Sequence, residues 1–131
     1  LDRMLAAIGR ARTAETPEAG AYITNVVPYR PLENRTPSDQ EVALLLPFAL
    51  RHVELARPKA ILCLGNVSAK HLMAATTGIT RFRGEWRDLR AGTHAAPALA
   101  SFHPAYLLRS PEQKRLAWRD LLELEARLAA D

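Results

Sequence analysis

The sequence predicts an α/β domain, a three-layer α/β/α sandwich around a mainly parallel central sheet. Three observations carry that expectation. Short apolar runs at 21–27, 60–64 and 96–102, bounded by turn residues, read as buried strands. Stretches with helical apolar spacing alternate with them, giving the order α-β-α-β-α-β-α that parallel crossovers require. The length, 131 residues, suffices for one hydrophobic core and not for two, so residues 1–131 form a single domain.

Each element has a local reason. Leu1, Met4, Leu5 and Ile8 form a helical stripe that Gly9 can end. Residues 10–20 are polar and read as a surface loop. Ala21–Val27 is β-branched and aromatic, a first buried strand. Prolines and charges make Pro28–Pro37 an irregular loop. Ser38 with Glu41 is a capping-box pattern. Val42, Leu46, Ala49, Val53 and Ala56 then line one helix face, and Pro58 stops it. After the strand Ala60–Leu64, Gly65-Asn66 turns into a helix running to Ala75. Ile79–Arg90 alternates irregularly and reads as an extended excursion or a hairpin. Ala96–Phe102 is the third strand. Pro111 suits the first turn of a last helix, whose stripe is Ala117, Leu121, Leu124 and Leu128.

The formal net charge is +4, supplied mostly by arginine. Arginine's planar fork suits phosphate and carboxylate, although a composition bias without any partner gives the same count. Cys63 stands alone, which excludes an internal disulfide, and no Cys/His cluster has metal-ligand spacing. Its place in an apolar run predicts a buried structural thiol. No segment has the length and apolarity of a membrane span, and no signal peptide stands at the start, which favours a cytoplasmic protein. The chain opens on Leu1, within a helical stripe, as a fragment or a processed product would.

Two stretches carry candidate chemistry. In Ser101–Pro111, a His-Pro step ends the third strand, because proline gives no amide hydrogen to a ladder. That puts the His103 imidazole at the carboxyl end of a strand, the edge where open α/β sheets bind ligands. A lone His there is more often a satisfied structural residue. The second stretch, Thr24–Val27, places Asn25 at the end of another strand. Its amide could satisfy backbone groups, or read the Watson–Crick edge of a flipped base with one donor and one acceptor. Arg30 and Arg35 in the following loop are either solvated or phosphate contacts. The turn at Gly65–Lys70 either packs helix against strand or offers amides to a phosphate, without any P-loop or dinucleotide pattern.

As a whole the pattern resembles the family 4 uracil-DNA glycosylases, a type also labelled as related to a phage DNA polymerase. Tyr22–Val27 followed by Arg30-Pro31, Asn34-Arg35 and Pro37 carries the resemblance at one end. Phe102–Arg109 carries it at the other, with Glu41, Pro47-Phe48, Pro58, Leu64-Gly65 and Arg83-Gly84 in order between them. The resemblance implies hydrolysis of the N-glycosidic bond of deoxyuridine in DNA, as in base-excision repair, by a protein that is monomeric when intact. It implies that Asn25 bonds the uracil edge and that catalytic His103 donates to uracil O2, both facing one pocket. Tyr106, Leu107, Leu108, Arg109 and Ser110 would meet the nucleic acid, with Leu107 or Leu108 as the wedge and Arg109 on a phosphate. Arg30 and Arg35 would join them.

Two departures matter. The family's water-activating Gly-Glu-x-Pro-Gly motif is not in this sequence; the resemblance places it, with its strand, before Leu1. That strand sits mid-sheet in the family, so 21–27 and 60–64 would flank a gap unless they pair directly or another strand fills it. The family's four-cysteine iron–sulfur cluster also has no counterpart, because Tyr29 and Leu45 stand at two of its positions and cannot bind iron as thiolates do. We therefore expect no cofactor, and an apolar contact of Tyr29 with Leu45. The rivals are a non-catalytic nucleic-acid-binding relative and, on the Gly65 turn alone, a nucleotide-binding domain. Purified protein should be colourless; stoichiometric iron after anaerobic purification overturns that expectation.

Overall fold

The computed structural model describes residues 1–14, 16, 19–26 and 38–129. The chain runs through α1 (Asp2–Ala7), α2 (Asp39–Ala56), β1 (Ile61–Leu64), α3 (Asn66–Met73) and α4 (Ile79–Phe82). It continues through β2 (Trp86–Ala91), β3 (His94–Ser101), α5 (Pro104–Arg109), a 3₁₀ turn at Pro111–Gln113, and α6 (Lys114–Ala129).

Among the described residues the sheet has three strands in the order β1-β3-β2. Strand β3 pairs in parallel with β1, from Ile61 opposite Ala98 to Leu64 opposite Ser101. On its other edge it pairs antiparallel with β2, from Trp86 opposite Leu99 to Ala91 opposite His94. The α/β class stands, and the sheet is mixed. The ambiguous 79–90 stretch resolves into the short helix α4 and one arm of a hairpin. Pro97 is tolerated inside the central strand because the β1 ladder begins one residue later, at Ala98.

Both sheet faces are covered. Cys63, Leu89, Ala98 and Ala100 pack with Ala69, Met73, Ile79 and Phe82 from α3 and α4, and with Leu50 and Val53 of α2. Leu99 and Leu62 point the other way, to Ile8, Met4, Leu121, Leu124 and Leu128 beside α1 and α6. The alternation of neighbours along β3 is the period-two geometry of a strand. Its alanines bring the helices close, and Ala98, Leu99 and Ala100 are fully buried.

Helix α2 starts where the capping box predicts: Glu41 N–H donates to Ser38 Oγ and Ser38 N–H to the Glu41 carboxylate, both at 3.2 Å. It ends at Arg57 in the left-handed region, before Pro58. Val42 and Ala49 of the expected stripe are buried, while Ala56 is exposed. Asp39 accepts from Lys70 at 3.1 Å, which joins the start of α2 to α3 and lowers the Asp39 pKa.

The expected strand at 21–27 is corrected. Residues 21–26 form no strand; the nearest ladder contact is an isolated parallel bridge of Ala11 with Gly20. A β-branched run supplies propensity, but a strand exists only through hydrogen bonds to a neighbour. Tyr22 is instead exposed and shares a 2.7 Å hydrogen bond with His52 on α2. Among the described residues β1 has one partner, β3, so direct pairing of 21–26 with β1 is not what the fold uses. Tyr29, Arg30 and Arg35 lie outside the described residues, and Leu45 is half-buried on α2.

Glu54 of α2 fastens the β2–β3 hairpin loop. Its carboxylate accepts from Thr93 N–H at 2.6 Å, from Arg51, and from Thr93 Oγ1 at 3.0 Å. The Thr93 backbone bond first, then Arg51, lower its pKa from 4.5 to about 2. A depressed carboxylate contributes stability above its unfolded value and loses it as the pH falls through the folded one. Compared with Glu54→Gln, the native protein should be more stable to urea above pH 4.5, and the difference should close on acidification toward pH 2. A difference independent of pH would contradict the ionised anchor.

Candidate active site

Because Leu64 lies opposite Ser101 in a parallel register, β1 and β3 end at the same edge. Gly65 follows one strand and His103 the other. Gly65 N–H donates to Ser101 O at 2.9 Å, lacing the two ends together. Gly65 has φ +93, and a Cβ on it would stand 3.3 Å from His103 Cβ. The glycine is needed twice over, for its left-handed backbone and for the approach of the histidine.

His103 is exposed and caps α5: its Nδ1 accepts from Ala105 N–H at 3.0 Å. Pro104 in the first turn gives up no needed donor. Phe102, almost fully buried, stacks on Tyr106 with centroids 5.0 Å apart, which anchors the helix from below. Residues Pro104–Arg109 therefore form a short helix with two faces. Leu107 is turned into the core, while Leu108 is 79% exposed. Arg109 is exposed, and Ser110 is half-buried, its N–H donating to Tyr106 O at 2.9 Å.

Asn25 is exposed and its side chain makes no hydrogen bond among the described residues. It lies between Tyr22, held to α2, and the buried Val26, and no hydrogen bond joins it to the His103 edge. A depression of about 510 Å³ at the start of α3 is lined by Asn66, Lys70, Ala75, Thr76, Thr77 and Gly78, with neither Asn25 nor His103 among them.

A polar cluster beneath the edge escaped sequence reasoning. Asp120 of α6 is fully buried and accepts from Arg83 Nε at 3.1 Å, Arg83 Nη2 at 2.5 Å and Ser101 Oγ at 2.6 Å. Hydrogen bonding to Asp120 raises the Arg83 pKa. The signal was present, because Asp120 falls within the apolar stripe Ala117, Leu121, Leu124.

The residues present do not fit an iron–sulfur cluster. Cys63 is buried in β1, and desolvation pushes its thiol up to about 12, so it stays protonated. Leu45 has no ligand atom, and among the described residues no group of three or more His, Cys, Asp or Glu could hold a metal ion.

The profile of the Uracil DNA glycosylase superfamily matches residues 1–122, and the chain belongs to that superfamily. It is 33% identical over 116 residues to the type-4 uracil-DNA glycosylase of Archaeoglobus fulgidus, covering 86% of this chain and 55% of that protein. With the type-4 uracil-DNA glycosylase of Thermotoga maritima it shares 37% identity over 103 residues, 76% of this chain and 52% of the relative. It also matches a protein of Bacillus phage SP01 named DNA polymerase, 29% identical over 113 residues, 86% of this chain and 12% of the phage protein. The chain spans about half the length of the type-4 relatives it matches.

Gly65→Ala should destabilise the protein by about 1–3 kcal/mol, the scale for a non-glycine residue held in a disfavoured backbone region. Urea unfolding measures it; an unchanged midpoint would mean that the His103 edge yields freely.

Proposed function

We propose that the intact protein is a uracil-DNA glycosylase that hydrolyses the N-glycosidic bond of deoxyuridine in DNA. The names of the relatives support the reading, and the observation that carries it is the hydrogen-bonding state of His103. With Nδ1 accepting from Ala105, the neutral imidazole carries its proton on Nε2. That N–H is a donor for a carbonyl oxygen of an extruded pyrimidine. As the bond from C1′ to N1 breaks, its electron pair passes to the base and negative charge gathers on O2. A fixed donor at that oxygen lowers the barrier. Water then bonds to C1′ and gives up a proton, the departing base anion takes one up, and the products are an abasic sugar and free uracil.

Asn25 supplies the amide that pairs with the uracil edge and rejects cytosine. On this reading a further strand lies between β1 and the 21–26 run, as the family's sheet order implies. Among the described residues one edge of β1 carries no ladder, which supports that order. The wedge is Leu108, because Leu107 is committed to the core. Inserting an apolar side chain offsets the unstacking cost of the flipped base, and Arg109, Ser110, Arg30 and Arg35 meet phosphates. Tyr106 keeps the wedge helix in place through its stack on Phe102.

The test is uracil release from oligonucleotides by the full-length protein. His103→Ala should lower turnover by about 10²–10³, the scale for loss of one transition-state donor. Leu108→Ala should slow release from duplex more than from single strands. Full turnover by His103→Ala would assign leaving-group stabilisation elsewhere. DNA binding without any release would favour the non-catalytic relative.

A further inference from the structure

We propose that Ser101, Asp120 and Arg83 form a buried positioning network that holds His103 in register with the substrate, an inference that rests on the glycosylase reading above. The last residues of β3 are held from three directions. On the β1 side, Gly65 N–H donates to Ser101 O at 2.9 Å. On the β2 side, Gly84 N–H donates to Ala100 O at 2.7 Å, and Ala100 N–H to Glu85 O at 3.2 Å. From α6, the Asp120 carboxylate receives the Ser101 hydroxyl at 2.6 Å. Gly84 has φ +82, and a Cβ there would stand 3.3 Å from Asp120 Oδ1, so the turn seats against the carboxylate only as glycine.

The chemistry of the cluster argues for positioning beyond bulk stability. Asp120 is fully buried within an otherwise apolar helix stripe, and an ionised carboxylate in such a place is expensive. Well-packed apolar residues often replace buried ion pairs without loss of stability, so the ion pair is a poor device for stability alone. What it adds is direction. Arg83 satisfies Asp120 through two nitrogens, which fixes the plane of the carboxylate. The oxygen facing β3 is then aimed at Ser101, two residues before His103. The imidazole itself is exposed and, among the described residues, bonds only to the nearby Ala105 amide. Its placement over a bound base therefore depends on how rigidly the strand end is held. Misplacement by an ångström is costly in an oriented reaction.

Ser101→Ala removes the link while sparing the ion pair, and Ser101→Thr keeps the hydroxyl. In the full-length protein, Ser101→Ala should lower kcat for uracil release by about ten- to a hundredfold with KM unchanged. Ser101→Thr should restore it. The second readout is the ¹⁵N–¹H long-range correlation of the His103 ring, assigned by its loss in His103→Gln. The native protein should give a single Nε2–H tautomer and Ser101→Ala a mixture. If Ser101→Ala lowers only the melting temperature, with kcat and the His103 signal unchanged, the proposal is overturned. If the native protein releases no uracil, the glycosylase reading fails, and an unaltered His103 tautomer in Ser101→Ala would overturn the network separately. Should Ser101→Ala not fold, Asp120→Asn, which removes the charge at constant volume, takes its place with the same expected and overturning outcomes.

Discussion

The double pairing of β3 is the constraint on which the rest of the structure depends. Among the described residues this strand alone hydrogen-bonds on both edges, and both of its faces are buried. Its backbone groups must therefore be satisfied within the sheet. Its side chains must also leave room for helices above and below. Ala98 and Ala100 leave that room on one face, and Leu99 supplies the apolar bulk on the other. Burial of a side chain of that size contributes about 1.5–3 kcal/mol. The strand is thus a thin, rigid spine clamped between thicker layers.

A rigid spine matters because the candidate chemistry sits at its end. His103 emerges where β3 stops, at the edge shared with β1, and α5 begins under it. The Phe102–Tyr106 stack and the burial of Leu107 fasten α5 to the same core that holds the strand. Leu108, the next residue in the helix, is left outside. One short segment therefore holds an exposed imidazole and an exposed leucine in fixed relation, the pair on which the proposed base extrusion and leaving-group stabilisation would draw.

Much of this was legible in the chain because it depends on neighbours in sequence. The capping box at Ser38 and Glu41 closes within one turn, the stripe of α6 repeats every three to four residues, and the His-Pro step breaks a ladder wherever it stands. Family membership was legible from the two motif blocks and their order. The strand expected at 21–27 failed for the opposite reason. Its residues have strand propensity, but a strand needs a partner that sequence periodicity does not name.

The sequence by itself determined the start and stop of α2, the α/β class, the superfamily and the edge residue His103, because local sterics, periodicity and motif order set them. Only the tertiary structure decided that β2 runs antiparallel, that Leu108 rather than Leu107 faces outward, and that Asp120 lies buried under Ser101 and Arg83. Those outcomes depend on which surfaces meet. Residues 83, 101 and 120 are far apart in the chain, and a carboxylate accepts burial only where the fold brings enough donors to it.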